Sequence, residues 1–170
     1  INLVYNITLP MILSSGTVGA ALEGSLLGIR SFAASMALPV NSFEEIRSKS
    51  GKVKGEIASA LRNSAKATVN YAKEWSKYPI SKNLDVHNLN FPFNYDGKED
   101  PILSFAGSLK LGSLFEKVEG EDYHQLVYRP EWLENKELEI GSDIWVLDQG
   151  KPTVSRLSFA DISGRKHLEP

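Results

Sequence analysis

A short segment near the start of this sequence combines residue types that bind phosphate. Residues 15–17 read Ser-Gly-Thr and open the run 16–28, whose apolar residues at helical spacing predict a helix. The N–H groups in the first turn of a helix have no partner within the helix, so they bind anions, and the hydroxyls of Ser15 and Thr17 add further donors. Gly16 allows a ligand to approach the backbone closely. The segment therefore predicts a phosphate cradle that needs no basic side chain.

The same residues also have a simpler structural interpretation. A Ser or Thr at the start of a helix commonly caps it by accepting a hydrogen bond from a backbone N–H, and this role needs no ligand. Two asparagines four residues apart, Asn2 and Asn6, add polar side chains upstream of the cradle. Glu23, on the helix behind the cradle, is expected to take part in packing or a structural hydrogen bond rather than act as a general base. Capping and anion binding both stay open at this point.

The elements around the cradle alternate between helix and strand. A loop-like stretch, 1–15, precedes the helix 16–28, and the small apolar run 30–38 predicts a buried strand. Helices are predicted at 42–47 and 55–77. Short β-like runs then follow at 85–93, 102–111, 125–128, 144–147 and 153–159, with turns expected at Gly97, Gly120, Gly141 and Gly150. This order is typical of an α/β fold.

Composition limits the classes of function that need to be considered. With 170 residues, 42% hydrophobic and 24% charged, the chain predicts a single globular domain over 1–170. A net charge of −2 argues against binding to duplex nucleic acid, which needs clustered Lys and Arg. The absence of cysteine excludes disulfides, Cys-ligated metals and thiol nucleophiles, and it fits a reducing compartment, so a cytoplasmic location is expected.

Two further features favour an ordinary globular protein over a membrane or histidine-metal protein. No run of 18 apolar residues occurs, so the sequence predicts no membrane-spanning helix. His87, His124 and His167 lack the spacing of metal ligands and are expected to lie at the surface or in hydrogen bonds. The sequence opens at Ile1 in what reads as the middle of an element, so we expect a chain without its amino-terminal part.

Four landmarks along the chain together resemble one known family. They are INLVYN at 1–6, SGTVGAALEGSLLG at 15–28, DVHNLNFP at 85–92 and GSDIWVLDQGKPTVSRLSF at 141–159. Their types and order are similar to those of the SurE family, where an asparagine-containing loop leads into an SGTV helix, and where a strand with an NxNxP pattern and a closing G-(T/S)-D segment follow. The resemblance implies a three-layer, Rossmann-like α/β fold that lacks its amino-terminal part and carries added β-hairpins.

The resemblance also implies an activity and a set of site residues. SurE-like proteins are phosphatases of nucleoside 5′- and 3′-monophosphates that use a divalent cation, Mg²⁺ or Mn²⁺. Asn2 matches the family's asparagine metal ligand, Asn6 matches a second active-site asparagine, and Ser15, Gly16 and Thr17 match its phosphate-binding loop. The family's other metal ligands, an aspartate pair and a serine, have no match here. We therefore expect the isolated 170-residue chain to be nearly inactive.

The sequence also leads to expectations about assembly and about two alternative functions. SurE-like proteins assemble, and Trp132, Trp145 and Phe159 in the late part of the sequence add apolar surface, so a homodimer or homotetramer is expected. One alternative is a non-catalytic anion-binding or oligomerisation module that keeps the cradle without a metal. The other is a doubly wound dinucleotide-binding enzyme, although the G-x-G-x-x-G pattern that marks such enzymes is missing.

Overall fold

The computed structural model describes Tyr5, residues 7–39, Ser42, Ile46, 53–80, 85–109, Ser113, 115–126 and 137–159. In chain order its elements are α1 (Thr8–Leu13), α2 (Gly16–Leu26), β1 (Ser31–Met36), α3 (Gly55–Ser76), β2 (Asp85–Phe91), β3 (Ile102–Ser104), β4 (Phe115–Lys117), β5 (His124–Leu126), α4 (Asp143–Asp148) and β6 (Thr153–Ser158). Asn2, Asn6 and most of the helix predicted at 42–47 lie outside the described residues.

A four-stranded mixed sheet forms the centre of the fold, with strand order β1-β2-β6-β3. β1 and β2 run parallel, and β6 runs antiparallel to β2 and parallel to β3. A separate antiparallel hairpin pairs β4 with β5. The predicted α/β class with an added hairpin is confirmed.

Helices cover both faces of the sheet. On one face, Ile12 of α1 and Val18 and Ala21 of α2 pack against Ala33 and Val86. On the other face, α3 packs onto a cluster that includes Met36, Leu89, Phe91 and Val154. Side chains alternate between the two faces along each strand, so β1, β2 and β6 contribute to both layers. The result is the three-layer arrangement that the sequence resemblance implied.

The helix α3 shows how the sequence places its buried face. Ala60, Ser64 and Thr68, at intervals of four residues, are its buried residues and form a stripe of small side chains toward the sheet. Glu56 lies in the first turn and Lys73 in the last, which complements the helix dipole at both ends. Ile57, Leu61, Ala67 and Tyr71 flank the stripe and pack against the same cluster.

Three sequence predictions need correction. Residues 8–13, predicted as loop, form α1, and residues 144–147, predicted as a strand, lie in α4. In α4 the hydroxyl of Ser142 accepts a hydrogen bond from Trp145 N–H at 3.3 Å, so a helix cap decides the conformation of a short apolar run that has no period of its own. The strand predicted over 102–111 ends at Ser104, because the chain then turns to contact residues 141–143.

Glycines mark the turns that the sequence predicted. Gly97, Gly120, Gly141 and Gly150 all have positive φ, between 71° and 85°, a region that is open to glycine and unfavourable for other residues. Gly24 has a different role, since a Cβ there would lie 2.5 Å from Ser31 Oγ. That close approach lets the end of α2 pack tightly against the start of β1.

Candidate functional site

The amino terminus of α2 points toward the carboxyl ends of the parallel strands. Its carboxyl-terminal turn lies beside the strand starts, because Gly24 touches Ser31 and Ser25 Oγ donates to Asp85 O at 3.4 Å. The helix runs antiparallel to β1, so its first turn lies at the end of the sheet where the parallel strands β1 and β2 finish. In open α/β sheets, ligands bind at that carboxyl edge.

Ser15 caps α2, and the backbone beside it keeps free donors. Its side-chain oxygen accepts a hydrogen bond from Val18 N–H at 3.2 Å, while Gly19 N–H donates to Ser15 O at 2.9 Å. Among the described residues, no atom accepts a hydrogen bond from the backbone N–H of Gly16 or Thr17. The capping interpretation is therefore confirmed for Ser15, and two backbone donors remain without an acceptor among the described residues.

The start of α2 is uncrowded at its glycines. An added Cβ at Gly16 would meet nothing within 4 Å, and the same holds at Gly19 in the next turn. Gly16 is exposed, while Ser15 and Thr17 are partly buried. The structure thus brings together Ser15, Gly16 and Thr17, the three residues predicted to hold phosphate. It can offer a bound phosphoryl group two N–H donors and two hydroxyls.

A buried carboxylate ties the segment before α1 to the far part of the chain. Asp143, which is fully buried, accepts the Thr8 N–H on Oδ2 at 3.1 Å. Its Oδ1 accepts the N–H groups of Gly107 at 2.9 Å and Ile144 at 2.8 Å. Burial raises the pKa of the Asp143 carboxyl, while these backbone hydrogen bonds oppose the rise. Asp143 lies in the G-(T/S)-D segment of the sequence resemblance, but no local pattern in the sequence predicted its hydrogen bonds with Thr8 and Gly107.

Polar side chains also line the sheet face that carries α1 and α2. Asn88 and Asn90 of the NxNxP pattern are fully buried and face the same side of β2. Their register partners on β6 are Ser155 and Thr153. Ser104 Oγ lies 2.5 Å from Thr153 Oγ1 and 2.8 Å from Ser155 Oγ. The pattern therefore places a buried polar belt across the sheet.

The described residues do not form a cation site by themselves. Among them there is no group of three or more His, Asp or Glu side chains that could hold a metal ion. Asn2 carries an amide oxygen, a donor type that Mg²⁺ and Mn²⁺ accept, but one neutral oxygen is a weak ligand set for a dication. Asn2 and Asn6, the residues predicted to act beside the cation, both lie outside the described residues.

His87 lies at the opposite, amino-terminal end of β2 in an aromatic cluster. Its Nδ1 is 2.6 Å from Tyr71 Oη, and its ring stacks on Trp75 with centroids 3.8 Å apart. Burial, with the positive charges of Arg156 and Arg30 and against the negative charge of Asp85, lowers the pKa of His87 to about 4. The neutral ring is thus a hydrogen-bonded structural residue. A cavity of about 460 Å³ opens beside it, lined by Trp75, Tyr78 and Arg156 among others.

No helix among the described residues has the length and apolar character to cross a lipid bilayer.

The chain is similar in sequence to one protein family and to two curated proteins. The family model described as Survival protein SurE matches residues 1–108. A protein named 5′-nucleotidase SurE from Thermofilum pendens is 30% identical over 165 residues, which cover 94% of this chain and 56% of that protein. A protein of the same name from Pyrobaculum arsenaticum is 39% identical over 95 residues, covering 55% of this chain and 32% of its own length.

A solved structure agrees with the sequence matches. The crystal structure of SurE protein from Aquifex aeolicus superposes with a TM-score of 0.60 at 25% identity, covering all of this chain and 63% of that chain. The chain spans about half or less of the length of the curated relatives it matches.

Proposed function

The chain belongs to the SurE family, and on that premise we propose that it contributes the phosphate-binding part of a phosphatase that hydrolyses nucleoside 5′- and 3′-monophosphates. The observation that carries the proposal is the start of α2. There a capped helix has the N–H groups of Gly16 and Thr17, which no described atom accepts, beside two hydroxyls, and a Cβ at Gly16 would meet nothing within 4 Å. This arrangement fits a phosphoryl group and needs no basic side chain.

The chain's own residues bind and orient the phosphoryl group. The Gly16 and Thr17 N–H groups donate to its nonbridging oxygens, and the Thr17 hydroxyl adds a third donor. Ser15 keeps its oxygen on Val18 N–H, so its hydroxyl hydrogen stays available to donate to the ligand. Because these donors are fixed by the helix, they stabilise the negative charge that grows on the phosphoryl oxygens during transfer.

The proposal includes a divalent cation, Mg²⁺ or Mn²⁺. We assign Asn2 one oxygen ligand and Asn6 a second active-site role, as the family resemblance implies, with the carboxylate ligands coming from outside residues 1–170. For this reason residues 1–170 alone are expected to bind phosphate weakly and to turn over very slowly.

The proposal is tested with the full-length gene product. Release of inorganic phosphate is measured from nucleoside 5′- and 3′-monophosphates, with Mg²⁺, with Mn²⁺ and with a chelator. We expect cation-dependent release, and Asn2→Ala is expected to weaken the dependence on cation concentration. Equal release with and without chelator would contradict the cation's role, and no release from any monophosphate would contradict the phosphatase.

A non-catalytic anion-binding or oligomerisation module remains the second candidate, because the described residues contain the cradle but no cation site. Phosphate binding to the full-length gene product without turnover would favour it.

We also propose that the protein binds no duplex nucleic acid and assembles as a homodimer or homotetramer.

A further inference from the structure

Thr8 has a backbone conformation that needs support from elsewhere in the fold. Its φ is +57°, and among the described residues it alone of the non-glycine residues has a positive φ. A β-branched side chain in the left-handed region is strained, and such residues persist only where the surrounding structure holds them. Thr8 is also fully buried, and within the described part of the chain its hydroxyl has no hydrogen-bond partner.

The support comes from Asp143, at a separation of 135 residues. Besides the bond from Thr8 N–H, the carboxylate accepts N–H groups from Gly107 and Ile144. The next residue after Thr8 closes the arrangement, since Leu9 N–H donates to Gly107 O at 3.0 Å. One carboxylate therefore joins three separate segments of the chain, the start of α1, the loop after β3 and the start of α4.

The space around this carboxylate is filled. A Cβ at Gly107 would lie 3.1 Å from Ser142 Cβ and 3.3 Å from Asp143 Oδ1, so a side chain there would push the carboxylate aside. Both carboxylate oxygens are used as acceptors. An amide in the same place has only one accepting oxygen and would turn an NH₂ group toward a backbone N–H.

The turn at Thr8 leads directly to the candidate site. Thr8 begins α1, and α1 ends at Leu13, two residues before Ser15. Ser15 N–H in turn donates to Ile12 O at 3.2 Å, which links α1 to the cap of α2. In sequence, Asn6 precedes Thr8 by two residues.

We infer that Asp143 is a positioning residue for the phosphoryl site, holding the strained turn at Thr8 so that α1 sets the placement of the Ser15–Thr17 cradle. This inference rests on the proposed phosphatase function. Asp143 itself touches neither substrate nor cation in this account.

The test uses Asp143→Asn in the full-length gene product, with Asp148→Asn, an exposed aspartate at the end of the same helix, as the matched control. Misplacing reacting groups by about 1 Å can lower a rate by about 10²-fold, so we expect kcat to fall about 10- to 100-fold while KM changes much less. Amide hydrogen exchange at Thr8 and Gly107 should accelerate. Both effects should be absent in Asp148→Asn.

A rescue variant separates positioning from general loss of stability. Glycine takes positive φ without strain, so Thr8→Gly added to Asp143→Asn should restore part of the lost kcat. The kcat of Asp143→Asn is measured at a temperature where the variant is folded. A kcat equal to that of the wild type, or no recovery of kcat when Thr8→Gly is added, would overturn the inference. If Asp143→Asn does not fold, Gly107→Ala crowds the same carboxylate, and an unchanged kcat in that variant would overturn it equally.

The hydrogen-exchange measurement keeps the inference separate from the proposed function. If the wild-type protein releases no phosphate, the phosphatase proposal fails, and exchange at Thr8 in Asp143→Asn still decides whether this carboxylate holds the turn. Unchanged exchange at Thr8 would overturn the inference even in an active enzyme.

Discussion

Ser15 and Thr17 lie two residues apart in the same helix start but differ in what they do for the fold. Ser15 caps α2 through its bond from Val18 N–H, whereas the Thr17 hydroxyl makes no hydrogen bond within the described residues. The hydroxyl of Ser15 therefore serves structure and is available to a ligand, and that of Thr17 is free for a ligand alone. Substitutions at the two positions separate these contributions.

Stability measurements should distinguish the two hydroxyls. Ser15→Ala removes the cap and should lower the free energy of unfolding by about 1 kcal/mol. Thr17→Ala removes no hydrogen bond of the fold and should change that free energy by less than about 0.5 kcal/mol. Urea unfolding of the two variants beside the wild type gives both values. Equal losses for both would mean that Thr17 also has a structural bond.

The pKa of His87 predicts a pH dependence of stability. A histidine whose pKa is lowered from 6.5 in the unfolded chain to about 4 in the fold stabilises the protein above pH 6.5 and loses this contribution as pH falls toward 4. Arg156 on β6, Arg30 just before β1, Asp85 on the same strand as His87 and Tyr71 on α3 surround the ring. Since the ring is only half buried, the contribution is discounted to about 1–2 kcal/mol.

Replacing His87 tests this directly. His87→Phe keeps a ring on Trp75 but cannot take up a proton, so its free energy of unfolding should fall less than that of the wild type between pH 7 and pH 4.5. Replacement of the exposed His124 by Phe is the matched control and should leave the wild-type slope. Chemical unfolding at several pH values provides the measurement. Parallel slopes for wild type and His87→Phe would show that the His87 ring is already accessible to protons.

At the scale of elements, long or strongly patterned segments could be predicted from sequence and short ones could not. The helices α2 and α3 and the strands β1, β2 and β6 follow from apolar spacing and from turn residues. The six-residue helices α1 and α4 do not: α1 begins at a residue held by a tertiary contact, and α4 depends on the Ser142 cap in a run too short to show a helical period. Asp143 binds Thr8 across 135 residues, and no local pattern indicates such a bond.

The site shows the same division. The Ser15–Thr17 cradle could be predicted because a phosphate-binding helix start has a local signature. The buried polar belt around Asn88 and Asn90 was matched as a motif, but its face and its partners on β6 depend on strand register. Register is set by the assembled sheet, which the sequence of one strand does not contain.

The central strand β2 should dominate the stability of the sheet. Leu89 is fully buried in the core against α3, so Leu89→Ala should lower the free energy of unfolding by about 2–5 kcal/mol. Leu103, on the edge strand β3, is 77% exposed. Leu103→Ala should therefore change the free energy of unfolding by less than about 0.5 kcal/mol. Both values come from urea titrations. A small loss at Leu89 would contradict the placement of β2 at the centre of the core.

At the scale of the whole molecule, three exposed apolar residues suggest where chains could associate. Leu103, Phe105 and Ile140 form what we call the apolar edge. Leu103 and Ile140 are more than three-quarters exposed, and Phe105 lies between their segments through its bridge to Ser142. Of the aromatic residues expected to mark an interface, Trp145 and Phe159 are partly buried within the chain, and Trp132 lies outside the described residues. Exposed apolar residues grouped in this way are typical of contact surfaces.

We therefore predict a homodimer or larger oligomer in which this edge takes part. Light scattering of the full-length gene product should give at least twice the mass of one chain at micromolar concentration, and Leu103→Asp with Ile140→Asp should lower it. Ser14→Asp, a polar change at an exposed position that is not part of this edge, is the control. A single-chain mass for the wild type across this range would contradict the prediction.

The central claim is that the start of α2 binds the phosphoryl group during hydrolysis, and the kcat of Thr17→Ala tests it most directly. Phosphate release from a nucleoside 5′-monophosphate is compared between the wild-type gene product, Thr17→Ala and Ser14→Ala, the last removing an exposed hydroxyl that bonds Pro10 O outside the cradle. Loss of one fixed donor to the transition state should lower kcat by about 10²–10³-fold in Thr17→Ala and leave Ser14→Ala unchanged. A wild-type kcat for Thr17→Ala would contradict the assignment of this helix start as the phosphoryl site.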